Sequence, residues 1–265
     1  MATAKLPRVQ DEPAFVLHRH DWSEASLILE VFSRHHGRVA LVAKGVKRPS
    51  SQFRPVLLPL QPLRLGWGGD AEVRTLKSAH WQGGHVMPSG DALLAGCYLN
   101  ELVLKLLARD DPHPGVFDHY ARAVAALAQS AQALDAWAGQ AGVLRAFELL
   151  LLRDLGVLPD LGRDGSRLMP LLPERLFRLT PDGGLQPAPH PDSPACLAED
   201  WLALQATLSL EDPFDALVER VRTDNGALRQ QLRALLHYHS GVRVFQTRQF
   251  MVDVQGLGRA PPAVS

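Results

Sequence analysis

The stretch that decides the fold runs from Ala14 to Lys44 and reads AFVLHRHDWSEASLILEVFSRHHGRVALVAK. It contains three short runs rich in Val, Leu, Ile and Phe, and the pair His36-Gly37 separates the last two of them. Short runs of this composition bounded by turn residues predict β-strands. Extended to the first 81 residues, the pattern predicts strands at Ala14–Arg19, Ala25–Ser33, Arg38–Lys44, Pro62–Trp67 and Glu72–Trp81.

The connections between these strands favour a small barrel. Gly68-Gly69-Asp70 predicts a hairpin between the fourth and fifth strands. The stretch Gly45–Pro59 contains Pro49 and Pro55 and predicts a longer loop, because proline cannot continue a central strand. Five strands with one long connection after the third fit a partly open barrel of the OB type, and a compact SH3-like barrel is the structural alternative.

The period of the apolar residues changes after residue 88. Helical spacing predicts helices at Asp91–Ala108 and Ala133–Gly156, and a helix at His113–Gln129 is expected between them, with Pro114 near its first turn. A later helix is predicted to begin at Asp212-Pro213, with Gly226 as a break in its middle. The predicted fold class is α+β, an N-terminal OB-fold β-barrel followed by a mainly α-helical C-terminal domain. The domains are predicted at 1–82 and 83–255, with a Pro/Gly-rich insertion near 157–194 that holds a hairpin at Arg175–Gln186, and a flexible tail at 256–265.

Composition limits the class of protein. With 46% hydrophobic residues in 265, the chain can bury a sizeable core. Its two cysteines, Cys97 and Cys196, exclude a disulfide framework and a thiolate-rich zinc site, and they suit a reducing compartment. No apolar run approaches the roughly 20 residues that span a bilayer, and the N-terminus resembles no secretory signal. The expected location is the cytoplasm, away from membranes.

The charges are distributed unevenly along a chain that is formally neutral. Residues 31–69 carry seven Arg or Lys and no Asp or Glu. Residues 1–81 hold 12 basic and 7 acidic residues, a difference of +5, and residues 82–265 hold 16 and 21, a difference of −5. A field of one sign favours a polyanion, because the polyanion releases its condensed counterions on binding.

Basic residues in and after this segment are the candidate DNA-binding residues. Arg38 and Lys44 share one face of the third strand, so that Val39, Leu41 and Ala43 point into the barrel. The full candidate set is Arg38, Lys44, Lys47, Arg48, Arg54, Arg64 and Arg74. The interleaved aromatics Trp22, Phe32, Phe53 and Trp67 are candidate platforms for stacked bases. On the alternative interpretation the cations are solubilising residues on strand faces, and Phe32 and Trp67 belong to the core.

Motifs for catalysis or metal binding are missing from the sequence. The pairs His18/His20 and His237/His239 lie at i, i+2 without a nearby cysteine, and surface or capping roles are the expectation. Asp110-Asp111 and Glu199-Asp200 are adjacent carboxylates at predicted helix ends, away from the basic segment. We therefore predict no catalytic residue, metal or cofactor. Two alternatives stay open, a metal-dependent nuclease or phosphodiesterase and an adaptor whose basic barrel docks an acidic protein.

Several stretches closely resemble the RecO family of bacterial DNA repair proteins. They are AFVLHRHDWSEASLILEVF at 14–32, GRVALVAKGVKR at 37–48, YLNELVLKLL at 98–107 and RAFELLLLRDLG at 145–156, with shorter matches at 60–63 and 72–76 and a weak one at 228–249. The resemblance implies an OB domain followed by a helical domain. It also implies binding of single- and double-stranded DNA, annealing of complementary strands and, with RecR, loading of RecA onto DNA coated by single-stranded DNA-binding protein.

The resemblance further implies particular contacts. Arg38, Lys44, Lys47, Arg48 and Arg54 match the positions that contact DNA. Arg145, with Leu144, Glu148 and neighbouring helix residues, matches the site for the acidic, apolar C-terminal tail of the single-stranded DNA-binding protein. An ordinary ion pair between Arg145 and Glu148 is the alternative.

One departure from the family concerns zinc. Some relatives carry a four-cysteine zinc site after the middle helix, whereas residues 158–186 contain no cysteine in this chain. We therefore expect no zinc, and we expect Pro- and Leu-rich packing around Met169–Leu172 to order this segment instead.

Overall fold

The computed structural model describes residues 8–130, 136–190, 193–222 and 226–258. It has two compact units, unit 1 formed by Met1–Ala131 with Gln246–Ser265 and unit 2 formed by Gln132–Phe245. The elements, in chain order, are β1 (Arg8–Asp21), β2 (Leu27–Ser33), β3 (Gly37–Ala43), β4 (Leu63–Gly68), β5 (Val73–Trp81), α1 (Asp91–Leu106), α2 (Pro114–Ser130), α3 (Ala136–Asp154), β6 (Leu176–Thr180), β7 (Gly184–Pro187), β8 (Cys196–Leu197), α4 (Ala198–Leu208), α5 (Phe214–Val221), α6 (Ala227–Ser240) and α7 (Gln246–Gly258). Among these described segments, no helix is long and apolar enough to cross a bilayer.

Five strands of unit 1 close into a barrel in the order β1-β2-β3-β5-β4. β3 and β5 pair in parallel, and the other neighbours pair antiparallel. This order, with one long connection after β3, is that of an OB-type barrel. The predicted fold class is therefore confirmed, and the SH3-like alternative does not apply. β1 begins at Arg8 rather than Ala14, because its first half pairs with β4 and its second half with β2.

The interior of the barrel follows the predicted alternation of the third strand. Val39, Leu41 and Ala43 are completely buried in its core. Trp67 belongs to the same core, and Phe32 is completely buried as well. The interpretation of these two aromatics as core residues is therefore confirmed. The predicted boundary at residue 82 lies one residue after the end of β5, and unit 1 continues beyond it through α1 and α2.

Helices α1 and α2 cover the outer face of β1 and β2. The ring of Phe15 lies 5.0 Å from that of Tyr120, and the ring of Phe32 lies 5.3 Å from that of Phe117, between centroids. The Tyr120 hydroxyl donates to the amide oxygen of Asn100 on α1. Burial raises the pKa of Tyr120, so this phenol stays a neutral donor. Residues 14–17 of β1 and 29–33 of β2 are thus buried on both faces.

Helix α7 completes unit 1 and was not predicted from the sequence. The two carboxylate oxygens of Glu101 accept bonds from the backbone N–H groups of Gln246 and Thr247, at 2.7 and 2.9 Å. A carboxylate at a helix N-terminus satisfies free N–H groups and complements the helix dipole. Residues 256–258 of the predicted tail belong to α7, and residues 259–265 lie outside the described residues.

Unit 2 packs helices with a small three-stranded sheet of order β7-β6-β8. The predicted helix at 133–156 is confirmed as α3 from Ala136, with residues 133–135 outside the described part, and the predicted hairpin is confirmed as β6 and β7. The predicted later helix is two helices, α5 and α6, and Gly226 at φ +92° caps the second. α5 starts with Pro213, not Asp212, at its N-cap. Of α4, the sequence predicted only a helix end at Glu199-Asp200, and these residues lie in its first turn.

A carboxylate orders the cysteine-free segment that follows α3. Asp164 Oδ1 accepts bonds from Ser166 Oγ at 2.6 Å, from Ser166 N at 2.8 Å and from Arg167 N at 3.1 Å. Leu171 is buried, but Met169 and Leu172 are largely exposed. The expected apolar packing therefore holds for Leu171 alone, and the Asp164 turn fixes the backbone.

Replacing Asp164 with Ala is expected to loosen this turn. The bonds from Ser166, chiefly the one from its hydroxyl, lower the pKa of Asp164. Its contribution is therefore complete above the unfolded pKa and is lost as the pH falls through the lower folded value. Losing these bonds costs about 1–3 kcal/mol. Hydrogen exchange of the Ser166 and Arg167 amides should accelerate in the variant, and in the wild type at acid pH, relative to an Asp182→Ala control. Unchanged exchange would contradict the role of Asp164.

Candidate nucleic-acid interface

The loop between β3 and β4, residues 44–62, carries most of the exposed predicted cations. Lys44, Arg48 and Arg54 are exposed, and none of them forms a salt bridge with a described carboxylate. Lys47 is partly exposed on the same loop. Together with Arg19 of β1, these residues form a surface that we call the cationic rim: Arg19, Lys44, Lys47, Arg48 and Arg54.

The loop folds back on itself and on the barrel. Gly45 has φ +71°, a conformation that favours glycine, and Arg48 N donates to Gly45 O at 3.1 Å. Lys47 N donates to Ala25 O at 3.1 Å, which ties the loop to the β1–β2 connection. Val46 and Leu57 are buried in the barrel core and anchor the loop at both ends. The cations therefore project from a fixed backbone.

A cleft of about 220 Å³ opens between this loop and the ends of β1 and β2. We call it the loop cleft. Its lining residues are Arg19, Leu27, Val46, Lys47, Arg54 and Leu57. Lys47 Nζ lies 2.6 Å from Asp21 Oδ1 and 3.0 Å from Ser23 O, so the ammonium group is held at the mouth of the cleft.

Arg38, a candidate on the third strand, lies inside unit 1 rather than on its surface. Its Nη1 donates to Leu104 O at 2.7 Å and to Leu107 O at 2.6 Å, at the C-terminal end of α1. Its Nη2 lies 3.3 Å from Glu30 Oε2. Arg109 also donates to Glu30, and this bond raises the pKa of Arg109. The side chain of Arg38 is thus occupied in joining β3 to α1.

The two candidates on later strands are also paired with acids and lie outside the cationic rim. Arg64 Nη1 donates to Asp11 O at 3.1 Å and lies 3.7 Å from Asp11 Oδ2. Arg74 Nη1 lies 2.6 Å from Asp110 Oδ1. The structure therefore brings together Lys44, Lys47, Arg48 and Arg54 and leaves Arg38, Arg64 and Arg74 apart.

Arg19 is the residue of the rim that the sequence argument missed. It lies outside the acid-free stretch, because Asp21, Glu24 and Glu30 separate it from residue 31. Its side chain reaches the β3–β4 loop, where Nη1 lies 3.5 Å from Leu57 O. The local sequence His18-Arg19-His20 is basic, and that was the signal available. Linear counting cannot show which loop a strand will meet.

One of the candidate aromatics stands exposed beside the rim. Trp22 is 66% exposed, and the next residue, Ser23, supplies the carbonyl that accepts a bond from Lys47. Phe53 is half-buried against the barrel core. Of the four aromatics predicted as platforms, Trp22 is the most exposed, and a base can stack on its ring.

Comparisons with known proteins cover nearly the whole chain. Family models described as "Recombination protein O N terminal" and "Recombination protein O C terminal" match residues 8–84 and 87–243. A protein named DNA repair protein RecO from Variovorax paradoxus is 58% identical over 258 residues, 96% of this chain and 100% of the relative. The chain belongs to the RecO family. Relatives of the same name from Albidiferax ferrireducens and Delftia acidovorans are 55% and 53% identical, over 94% and 97% of this chain and 98% and 100% of theirs.

In this RecO family member, the predicted tail-binding residues lie on α3. Arg145 Nη2 is 2.7 Å from Glu148 Oε1, and the Glu148 side chain is completely buried. Arg145 itself is 8% exposed, and Leu144 is buried as well. The alternative of an ion pair is therefore observed, but inside the protein rather than on its surface. An incoming carboxylate would have to share the guanidinium with Glu148.

Histidines of this RecO family member meet at one place on β1. The rings of His18 and His20 lie 4.4 Å apart, and burial, followed by the charge of His20, lowers the pKa of His18. Within the described ranges, no group of three His, Cys, Asp or Glu side chains is placed to hold a metal ion. The pair is an exposed contact between two rings on β1.

Proposed function

We propose that this chain binds single- and double-stranded DNA through the cationic rim and anneals complementary strands as a mediator of DNA repair. The carrying observation is that Lys44, Arg48 and Arg54 stand exposed on a fixed loop, without a salt bridge to a described carboxylate. Cations fixed in this way can replace the counterions around phosphates, which gives affinity without reading the sequence. Neutralising two strands together reduces the repulsion that slows their pairing.

The wider role that follows from family membership includes partner proteins. We propose that the chain acts with RecR to help load RecA onto DNA coated by single-stranded DNA-binding protein, in the cytoplasm at the nucleoid. Binding of that protein's C-terminal tail at Leu144, Arg145 and Glu148 rests on the resemblance alone. In this proposal the tail's carboxylate shares the guanidinium of Arg145 with Glu148.

Binding fits the rim better than catalysis does. Hydrolysis of a phosphodiester by two metal ions needs several carboxylates close to the bound phosphates. Asp21 is the one described carboxylate in a salt bridge with the rim, and it is bound to Lys47. We therefore propose a non-enzymatic protein without a cofactor. Product formed from DNA in the presence of a divalent metal would favour the nuclease alternative instead.

Substituting Lys44, Arg48 and Arg54 together with Ala is expected to weaken DNA binding and slow annealing. Each lost contact reduces the salt slope for single-stranded DNA by about 0.7, so the slope should fall by about 2 and the affinity roughly tenfold or more. Fluorescence anisotropy across a salt series measures the slope, and fluorescence quenching on pairing of complementary strands measures annealing.

A matched control removes three exposed arginines from unit 2: Arg167→Ala, Arg175→Ala and Arg178→Ala. It changes the net charge equally and should leave the slope nearly unchanged. An unchanged slope in the rim variant would exclude these three residues as phosphate contacts. In a competition experiment, excess oligonucleotide should displace this protein from an acidic partner protein if the rim binds DNA. Failure to displace it would favour the adaptor alternative.

A further inference from the structure

We propose that the loop cleft binds one unstacked nucleobase of a DNA strand whose phosphates lie on the cationic rim. This inference rests on the proposed DNA binding and adds a base-binding subsite to it. The subsite would distinguish single strands from duplexes, because a base that is paired and stacked cannot enter a side cleft without leaving the helix.

The floor of the cleft is apolar and fixed. Val46 and Leu57 are 3% and 1% exposed, and both belong to the barrel core. Leu27 packs against the same core from the start of β2. The cleft of about 220 Å³ is smaller than the roughly 300 Å³ at the lower end of pockets for drug-sized ligands, so it suits a single flat ring system.

The mouth of the cleft is cationic. Arg19, Lys47 and Arg54 line it, and Lys47 is held in place by Asp21 and by the carbonyl of Ser23. A free phosphate would leave the apolar floor unused, and a neutral apolar ligand would leave the cations unused. A nucleotide can use both the apolar floor and the cations, because its base has apolar faces and its phosphate is attached to the same nucleotide.

The surroundings of the cleft favour a nucleic acid strand over an acidic peptide. Lys44 and Arg48 continue the positive charge along the loop beyond the cleft, as a polymer with a charge on every unit requires. The exposed ring of Trp22 adjoins Ser23 at the mouth, and it offers a surface on which a neighbouring base can stack. Repeated charge with a flat aromatic surface is the pattern of single-strand binding.

Binding of an unstacked base would also make the protein hold single strands more tightly than the annealed duplex. A strand bound through one unstacked base must withdraw that base from the cleft when it pairs with its complement. The duplex product then keeps its phosphate contacts but loses the base contact, so the protein should release duplex more readily than single strand. This subsite couples pairing to release without any catalytic residue.

The test compares a single-stranded oligonucleotide of thymidines with one of equal length made of abasic nucleotides. Both carry the same phosphates, so the cationic rim treats them alike. We expect the wild type to bind the thymidine strand roughly five- to a hundredfold more tightly. Leu27→Phe, which fills the cleft, should reduce this ratio severalfold while leaving the affinity for the abasic strand and its salt slope unchanged. Trp22→Ala, outside the cleft, separates stacking on that ring from capture in the cleft.

Each result decides between the two levels of the proposal. Equal affinity of the wild type for the two strands, with an unchanged salt slope, would overturn the base subsite and keep the proposed DNA binding. Absence of binding to both strands would overturn both. If Leu27→Phe melts like the wild type and keeps the full ratio, the cleft is not the subsite. Should that variant fail to fold, the fluorescence of a 2-aminopurine placed in the strand provides the readout: a rise on binding to the wild type supports an unstacked base, and no change overturns it.

Discussion

Replacing Arg38 with Ala is expected to destabilise the protein by about 3–5 kcal/mol, because removing one member of a buried ion pair leaves its partner uncompensated. The substitution takes both Nη1 bonds from the carbonyls of Leu104 and Leu107, at the end of α1. It also takes one of the two arginines that contact Glu30. Buried carbonyls without a donor carry the full cost of their lost hydration.

DNA binding by the folded Arg38→Ala protein should be almost unchanged. The Arg38 side chain is 12% exposed, and its guanidinium donates to Leu104 O and Leu107 O, so we expect the salt slope of the wild type. Urea unfolding measures the stability, and anisotropy at low temperature measures the slope. Arg48→Ala is the matched comparison, since Arg48 is exposed. It should keep its unfolding midpoint and lose about 0.7 of the slope for single strands. A stable Arg38→Ala protein with a reduced slope would place Arg38 among the DNA contacts.

Arg38 shows what strand periodicity can predict about a side chain and what it cannot. Alternation correctly placed Val39, Leu41 and Ala43 in the barrel, and it placed Arg38 on the opposite face. That face is covered near Arg38 by the end of α1, which lies more than sixty residues further along the chain. Periodicity indicates which side chains share a face. It contains no information about which later element will cover that face.

The acid-free stretch shows the same limit for charge. Arg34 lies in this stretch, yet its Nη2 lies 2.8 Å from Asp118 Oδ2. The hydrogen bond from Arg34 lowers the pKa of Asp118. Arg64 and Lys47 find Asp11 and Asp21 on β1 in the same way. A window of sequence counts the acids within it, whereas the folded surface also depends on the acids that tertiary structure brings in. The field over the rim therefore rests on fewer cations than the sequence count indicates.

Helix prediction succeeded where the apolar period was long and failed where contacts outside the helix define its ends. α1 and α3 were predicted from their apolar period, and α2 was predicted between them from Pro114 near its first turn. α7 begins where Glu101 of α1 accepts its first N–H groups, a contact between residues far apart in sequence. The residue before it, Phe245, is not one of the usual N-cap residues, so the sequence contains no signal for the start of this helix. Elements of this kind depend on tertiary structure for their boundaries.

Replacing Gly37 with Ala is the second substitution with a large expected effect on stability. The sequence predicted a turn at His36-Gly37, and the structure adds that Gly37 has φ +65° and lies against a distant segment. A Cβ atom on Gly37 would lie 2.1 Å from the carbonyl oxygen of Asp111. That segment is held close because Asp110 N donates to Arg38 O at 2.9 Å. The backbone cannot move away without breaking this bond.

Two costs add in the Gly37→Ala protein. The left-handed conformation costs an L-residue about 1–2 kcal/mol, and forcing atoms into a filled space costs about 1–3 kcal/mol more. The expected loss is therefore about 2–5 kcal/mol. Gly83→Ala is the matched control, because Gly83 has φ +73° with nothing within 4 Å of its Cβ position. It carries only the conformational cost. The difference between the two unfolding free energies measures the close approach of Asp111 to the barrel, and equal losses in the two variants would mean that this segment yields freely.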